Sequence, residues 1–267
     1  MSEGKAVRAL KNTVRGPLWW AYVQFFQHTP LIQRLIAAPY LNVPPEKWPG
    51  RVAGMLDLNM PQSLARLPAP TPFCGANINN ILALLERARN VEGDFAECGV
   101  FRGATLVVMG LWLAQQGIDK TIHGFDSFQG FSPTIAKDIE MGGAPLNCKR
   151  PGGFNETSYG LVCSKANALR LRNIKLYPGF FDRTLSQVKA GTFSFVHLDC
   201  DAYDPYVECL EFFYPRLSSG GIILLDEYDD PAWPGCNKAT DEFLVDKPEK
   251  LQPICQDNYL KYYFVKQ

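Results

Sequence analysis

Two short apolar runs of this chain end abruptly in acids. Phe195-Val-His-Leu-Asp-Cys-Asp-Ala-Tyr-Asp204 and Gly221-Ile-Ile-Leu-Leu-Asp-Glu-Tyr228 have the pattern of buried parallel strands that deliver carboxylates to the C-terminal edge of a sheet, where open α/β sheets bind ligands. Asp199, Asp201, Asp226 and Glu227 would converge there, and like charges at close range require a cation, a shared proton or water between them. As hard oxygen donors they suit Mg²⁺ or a similar ion, with coordination positions left for water or substrate. A set of solvated acids at a sheet edge is the plainer alternative. His197 falls on the same strand face as Asp199 and stands as a base, a charge partner or a buried histidine.

A second constellation is Asp94-Phe-Ala-Glu-Cys-Gly-Val-Phe-Arg-Gly-Ala-Thr105, a strand, a glycine turn and a helix start. Gly99 and Gly103 let backbone approach a ligand closely, and the helix beyond them offers free N–H groups. The spacing is not GxGxxG, and Glu97 stands two residues before the first glycine. That pattern resembles the first motif of S-adenosylmethionine-dependent methyltransferases more than a dinucleotide fingerprint. Glu97, Gly99, Arg102, Gly103 and Thr105 are therefore candidate cofactor residues. Asp126 and Ser127 join them, because Asp126 ends the next strand, a position from which a carboxylate can accept both ribose hydroxyls.

The elements that must hold these residues alternate. Strand-like runs fall at 95–99, 121–125, 174–177, 193–198 and 221–226, with helix-like runs at 103–117, 156–171, 180–190 and 204–216. A helix at 77–88, with Asn77 or Asn79 as its cap, precedes them. A helix at 237–245 and two closely spaced strands, 251–255 and 259–265, follow. The predicted fold is a doubly wound, Rossmann-like α/β sheet of seven strands, mainly parallel with an antiparallel last strand, as in class I methyltransferases. The irregular stretch 127–155 reads either as a lid over the sheet edge or as a mobile insertion, and 229–235 borders the same edge.

In 267 residues, Lys plus Arg and Asp plus Glu balance at 27 each, so no global field recruits nucleic acid. The eight cysteines form no CxxC pair, which points to a reducing compartment and a cytoplasmic location. No Ser-His-Asp or Cys-His pattern supports covalent catalysis. Prolines crowd 39–73 and mark a boundary between an N-terminal segment, 1–73, and a cofactor-binding domain, 74–267. Residues 1–40 combine Lys5, Arg8, Lys11 and Arg15 with the aromatic run Leu18-Trp-Trp-Ala-Tyr-Val-Gln-Phe-Phe26. Three readings stand for this segment: a helix packed on the core or on a second subunit in a homodimer, a membrane-surface segment, and an organellar presequence.

Six stretches in order, Glu97-Cys-Gly-Val-Phe-Arg-Gly103, Phe125-Asp-Ser-Phe-Gln-Gly-Phe131, Tyr177-Pro-Gly-Phe-Phe-Asp-Arg-Thr-Leu185, Leu198-Asp-Cys-Asp-Ala-Tyr203, Tyr214-Pro-Arg-Leu-Ser-Ser-Gly-Gly221 and Asp226-Glu-Tyr228, make residues 74–245 resemble the macrocin O-methyltransferase (TylF-like) family. The resemblance implies methylation of a sugar hydroxyl with S-adenosyl-L-methionine and a divalent cation, Asp199 and Asp226 among the metal ligands, and Asp201 as base. The family's paired aspartates correspond here to Asp226 and Glu227, whose extra methylene moves the carboxylate. Phe101 and Cys200 are further departures, where tryptophan and glycine are usual. The expected acceptor is a small-molecule or glycan hydroxyl; the alternatives are an inactive methyltransferase-like binding or scaffold protein and a metal hydrolase using the same acids.

Overall fold

The computed structural model describes residues 29–43, 47–48, 50–58, 77–143, 146–189, 191–256 and 258–267. Among the described residues, the helices Pro30–Ala37 (α1) and Gly50–Met55 (α2) come before Ile78–Ala88 (α3). The alternation then runs Asp94–Cys98 (β1), Ala104–Gln116 (α4), Ile122–Asp126 (β2), Ala136–Glu140 (α5), Tyr159–Ala168 (α6), Ile174–Pro178 (β3), Phe181–Thr184 (α7), Phe193–Leu198 (β4), Tyr203–Phe213 (α8), Leu217–Leu225 (β5), Pro234–Leu244 (α9), Gln252–Gln256 (β6) and Tyr259–Val265 (β7). The seven strands form one sheet in the order β3-β2-β1-β4-β5-β7-β6. All neighbours are parallel except β5 with β7 and β6 with β7. The doubly wound sheet expected from the alternation is the one observed.

Alternation along each strand divides the core into two layers. Phe95, Phe195, Ile222 and Leu224 join the cluster under α3 and α4, whereas Ala96, Cys98, Val196, Leu198, Ile223 and Leu225 join the cluster under α8 and α9. Ala37, Trp48, Val52 and Leu56 belong to the first cluster, so the described part of the N-terminal segment shares the core of the sheet. The aromatic run and the basic residues before position 29 lie outside the described residues, as does most of the proline-rich stretch.

Element ends differ from expectation where a side chain or bulge sets them. The helix expected at 156–171 is shorter, because Ser158 caps its start by accepting from Leu161 N–H at 3.2 Å and Arg170 ends it at φ 58. The run at 180–190 is only one helical turn continued as a 3-10 turn, Leu185–Gln187. β5 starts before 221, at Leu217, because a register shift between Phe193 and Phe195 absorbs the extra residues. Asn77 occupies the cap position of α3 but makes no side-chain cap; its amide is used elsewhere.

The described residues of 127–155 are packed in place. Asp138 is 1% exposed and accepts the backbone N–H of Tyr203 at 3.0 Å. Lys149 donates to the Ala232 carbonyl at 2.8 Å and lies over the Trp233 ring, which Phe131 also meets. Gly130 sits at φ 77 with space for a Cβ only 2.2 Å from the Gly153 carbonyl oxygen, so that crossing requires glycine. The described residues of 127–155 thus join 229–235 in one rim beside the ends of β4 and β5.

Candidate active site

The winding of the sheet reverses between β1 and β4, which leaves a crevice at their C-terminal ends. Register pairs Glu97 with His197 on these two neighbouring strands. Both are buried at 1% exposure, and Glu97 Oε1 lies 3.2 Å from His197 Nδ1. The other ring nitrogen of His197 is 3.4 Å from Asp226 Oδ1. Burial disfavours charge on the imidazole, but its hydrogen bonds to Asp226 and Glu97 outweigh that and raise its pKa to about 10. Burial lifts Glu97 to about 7, and its Oε2 is enclosed with no hydrogen-bond partner among the described residues. A buried carboxylate oxygen without a donor is a polar group that a proton or a ligand hydrogen bond would satisfy.

Asp199 stands between two groups of potential ligands. The ligand atoms of Glu97, His197 and Asp199 lie within 4.8 Å of one another, as do those of Asp199, Asp226 and Glu227. Burial and the neighbouring Asp226 charge raise Asp199 to about 6. Asp226 moves the other way: burial opposes its charge, yet Lys261 and His197 hold its carboxyl below the ordinary range. Lys261 Nζ is 2.9 Å from Asp226 Oδ2 and also donates to the Asp226 carbonyl, and Asn77 Nδ2 donates to Oδ1.

Strand alternation separates the two adjacent acids. Asp226 continues the face of Ile222 and Leu224, while Glu227 continues that of Ile223 and Leu225 and turns toward α8. There Tyr206 OH donates to Glu227 Oε2 at 2.6 Å, and Glu227 is 3% exposed. Burial, with the charges of Asp201, Asp199 and Asp226, pushes its pKa well up.

Asp201 is half-buried, and among the described residues its carboxylate makes no hydrogen bond. Ala202 N–H donates back to the Cys200 carbonyl at 2.7 Å, closing a three-residue turn on Asp201 at φ 62. That hand of turn is rare and strained. Burial and the charges of Asp199 and Asp226 raise the Asp201 carboxyl well above its usual range.

The glycine turn of β1 is fixed from several sides. Asp126 Oδ2 accepts Phe101 N–H at 2.7 Å and Oδ1 accepts Phe128 N–H at 2.6 Å. Arg102 Nε donates to the Glu156 carbonyl, and Ser127 Oγ donates to the Gly130 carbonyl, both at 2.8 Å. Gly99 is at φ 95, with its Cβ position 1.6 Å from the Asp199 carbonyl oxygen, and Gly103 is at φ 74 against Val162. Thr105 is buried in the first turn of α4. Asp126 and the glycine turn are therefore joined directly, whereas Arg102 and Ser127 are engaged with neighbouring loops.

The family profile described as Macrocin-O-methyltransferase (TylF) matches residues 75–263. The chain belongs to this family. Among TylF relatives, the demethyldecarbamoylnovobiocin O-methyltransferase of Streptomyces niveus is 31% identical over 63% of this chain and 65% of its own length. The mycinamicin III 3''-O-methyltransferase of Micromonospora griseorubida is 31% identical over 62% of this chain and 66% of its own. These alignments span just under two thirds of the relatives. The fold is that of the O-methyltransferase NovP, with a TM-score of 0.61 at 23% identity, covering 92% of this chain and 98% of that one. CalS11, a calicheamicin methyltransferase, has a TM-score of 0.60 at 22% identity over 71% and 78% of the two chains.

Three residues that meet the candidate acids escape a reading of strand ends: Lys261, Asn77 and Tyr206. The signal for Lys261 is a single charge inside the apolar strand β7, 6% exposed. Leu225 pairs with Tyr262, so Lys261 lies opposite Asp226, but only knowledge of the pairing reveals it. Asn77 and Tyr206 arrive from helices with no motif to mark them.

Proposed function

We propose that the protein transfers a methyl group from S-adenosyl-L-methionine to a hydroxyl of a sugar or similar vicinal diol, with Mg²⁺ as the metal. The observation that carries this reading is the meeting of Asp199, Asp226 and Glu227 within 4.8 Å, beside a glycine turn and an unpaired Asp201. Membership of the TylF family and the O-methyltransferase activities of the two relatives support it.

The donor set fits a hard divalent ion, since one carboxylate oxygen from each of three residues lies within 4.8 Å of the others. Asp199, Asp226 and Glu227 would hold it, and it would supply Lewis acidity toward an acceptor hydroxyl. S-adenosyl-L-methionine supplies the methyl group; the Gly99–Thr105 turn and the enclosed oxygen of Glu97 would receive it, with Asp126 keeping the turn in shape. Asp201, aimed by its strained turn, would take the acceptor proton on its carboxylate. A carboxyl raised by burial is a better base than one in water. His197, held charged between Glu97 and Asp226, would act as a charge partner.

A second reading, a cofactor-binding protein without turnover, rests on Lys261 and Tyr206 already engaging Asp226 and Glu227. Incubation with S-adenosyl-L-methionine, Mg²⁺ and a panel of vicinal-diol sugars separates the two. The transferase reading expects release of S-adenosylhomocysteine that chelator abolishes and Asp199→Ala removes. Calorimetric binding of the cofactor without metal-dependent turnover on any acceptor would favour the binder, and full turnover in Asp199→Ala would sink the assignment of the site.

A further inference from the structure

The helix α1 presents leucines outward. Its inner face carries Gln33 and Ala37, both fully buried, and Gln33 Oε1 accepts from Ser164 Oγ of α6 at 3.0 Å. On the outer side Leu31 and Leu35, one turn apart, are 68% and 67% exposed. Residues four apart form one continuous strip on a helix. Beside it lies a hollow of ≈ 470 Å³ lined by Arg34, Ala38, Leu41, Asn167, Arg170 and Arg172, among others, with no acid in its wall. Among the described residues none of these three arginines has a carboxylate at ion-pair distance. Arg170 occupies the left-handed position that ends α6, where glycine is unstrained, and Leu171 N–H closes the turn on the Ala166 carbonyl at 2.9 Å. Leu171 is thereby buried while Arg170 and Arg172 on either side are exposed.

We propose that this face docks the protein on an anionic lipid bilayer, with Arg34, Arg170 and Arg172 on lipid phosphates and Leu31 and Leu35 in the acyl boundary. Charge decides the occupant. Residues 1–28 carry Lys5, Arg8, Lys11 and Arg15 against the one acid Glu3, so folding them onto the face would set like charges together. A second copy docked through the same face across a twofold axis would bring two sets of arginines into one interface with no acid from the hollow to meet them. A bilayer with anionic headgroups satisfies both the leucines and the arginines, and basic charge together with apolar insertion is the combination that holds a peripheral protein. The basic and aromatic N-terminal sequence leads directly into α1 and adds to the same attraction. The face adjoins the start of β3, at the opposite end of the sheet from the acids, so docking is independent of the methyl-transfer reading.

The full-length protein is sedimented with vesicles of phosphatidylcholine alone and of phosphatidylcholine with phosphatidylglycerol. Binding is expected only to the second, falling as salt rises. Each of Arg170→Gln and Arg172→Gln should lower the partition coefficient roughly fivefold, Leu31→Ser with Leu35→Ser should lower it further, and Arg170→Lys with Arg172→Lys should retain it. Unchanged thermal unfolding of each variant certifies its fold, and the lysine pair and the salt series decide if one unfolds. Equal sedimentation with both vesicles, or binding indifferent to the arginine changes, overturns the proposal. So does loss of vesicle binding to inorganic phosphate at matched phosphate concentration, which makes the hollow a soluble-anion site. A dimer in analytical ultracentrifugation that the leucine changes dissociate overturns it too, assigning the face to a second copy.

Discussion

Asp201 holds a left-handed backbone, φ 62, that its Cβ disfavours. Asp201→Gly should therefore stabilise the fold by about 1 kcal/mol in denaturant unfolding, while turnover falls by roughly 10²- to 10⁴-fold, the usual worth of a positioned base. A change that raised stability and kept turnover would deny Asp201 the base role. His197 makes a separate forecast for the metal-free protein. Its pKa rises from 6.5 to about 10 on folding, so its contribution to stability is complete below pH 6.5 and is lost as pH climbs toward 10. Asp226 has the opposite sign: its folded pKa is depressed from 3.8, so its contribution is present above that value and disappears in more acid solution. Melting temperatures across the alkaline window, compared with those of His197→Gln, check the first; the variant should lack most of the slope. At this scale the sequence was informative about acids and silent about their partners. A carboxylate at the end of an apolar run announces itself, but Asn77 and Tyr206 are ordinary polar residues on helices until packing brings them to Asp226 and Glu227.

At the level of elements, β7 decides the electrostatics of the site. Because it runs antiparallel to β5, it carries Lys261 to the end of the acidic strand, 2.9 Å from Asp226. Acids that would otherwise require a metal thus have a resident counter-charge. Lys261→Met leaves a buried carboxylate with one fewer partner and should destabilise the metal-free protein by about 3 kcal/mol; added Mg²⁺ should recover part of that in the melting temperature. Identical melting with and without the ion in the variant would argue against a cation at these acids. The packed stretch 127–155 yields another test. Gly130→Ala places a Cβ 2.2 Å from the Gly153 carbonyl oxygen at φ 77, so the rim must shift. Faster proteolysis within 127–155 is the expected result, with weaker cofactor binding because Ser127 and Asp126 are anchored in the same turn. Strand positions were legible because buried parallel strands are short apolar runs between turn signals. Helix limits were less so, since α6 and α7 stop where Arg170 takes a left-handed conformation and where one helical turn tightens into a 3-10 turn, features that periodicity does not encode.

At the scale of the molecule, two core layers pack on the sheet, and the C-terminal ends of β1 and β4 are where a ligand would meet both. A ligand that binds the folded state alone stabilises it by about 2.7 kcal/mol at a hundred times its dissociation constant. For a chain of this size that corresponds to roughly 5–10 °C in melting temperature. S-adenosylhomocysteine should produce a shift of that order, and no shift at saturating concentration would count against the cofactor site. Among the described residues no helix is long and apolar enough to cross a membrane. The sequence by itself determined the alternation of strands and helices, the glycine turn after Glu97 and the positions of the acids, because these follow from local patterns of burial and backbone freedom. Tertiary structure alone decided which charges those acids face. Lys261 is 35 residues from Asp226 in the chain, and Asn77 is 149. Only strand pairing and helix packing create those contacts, and with them the assignment of Glu227 to Tyr206 and of Asp226 to Lys261.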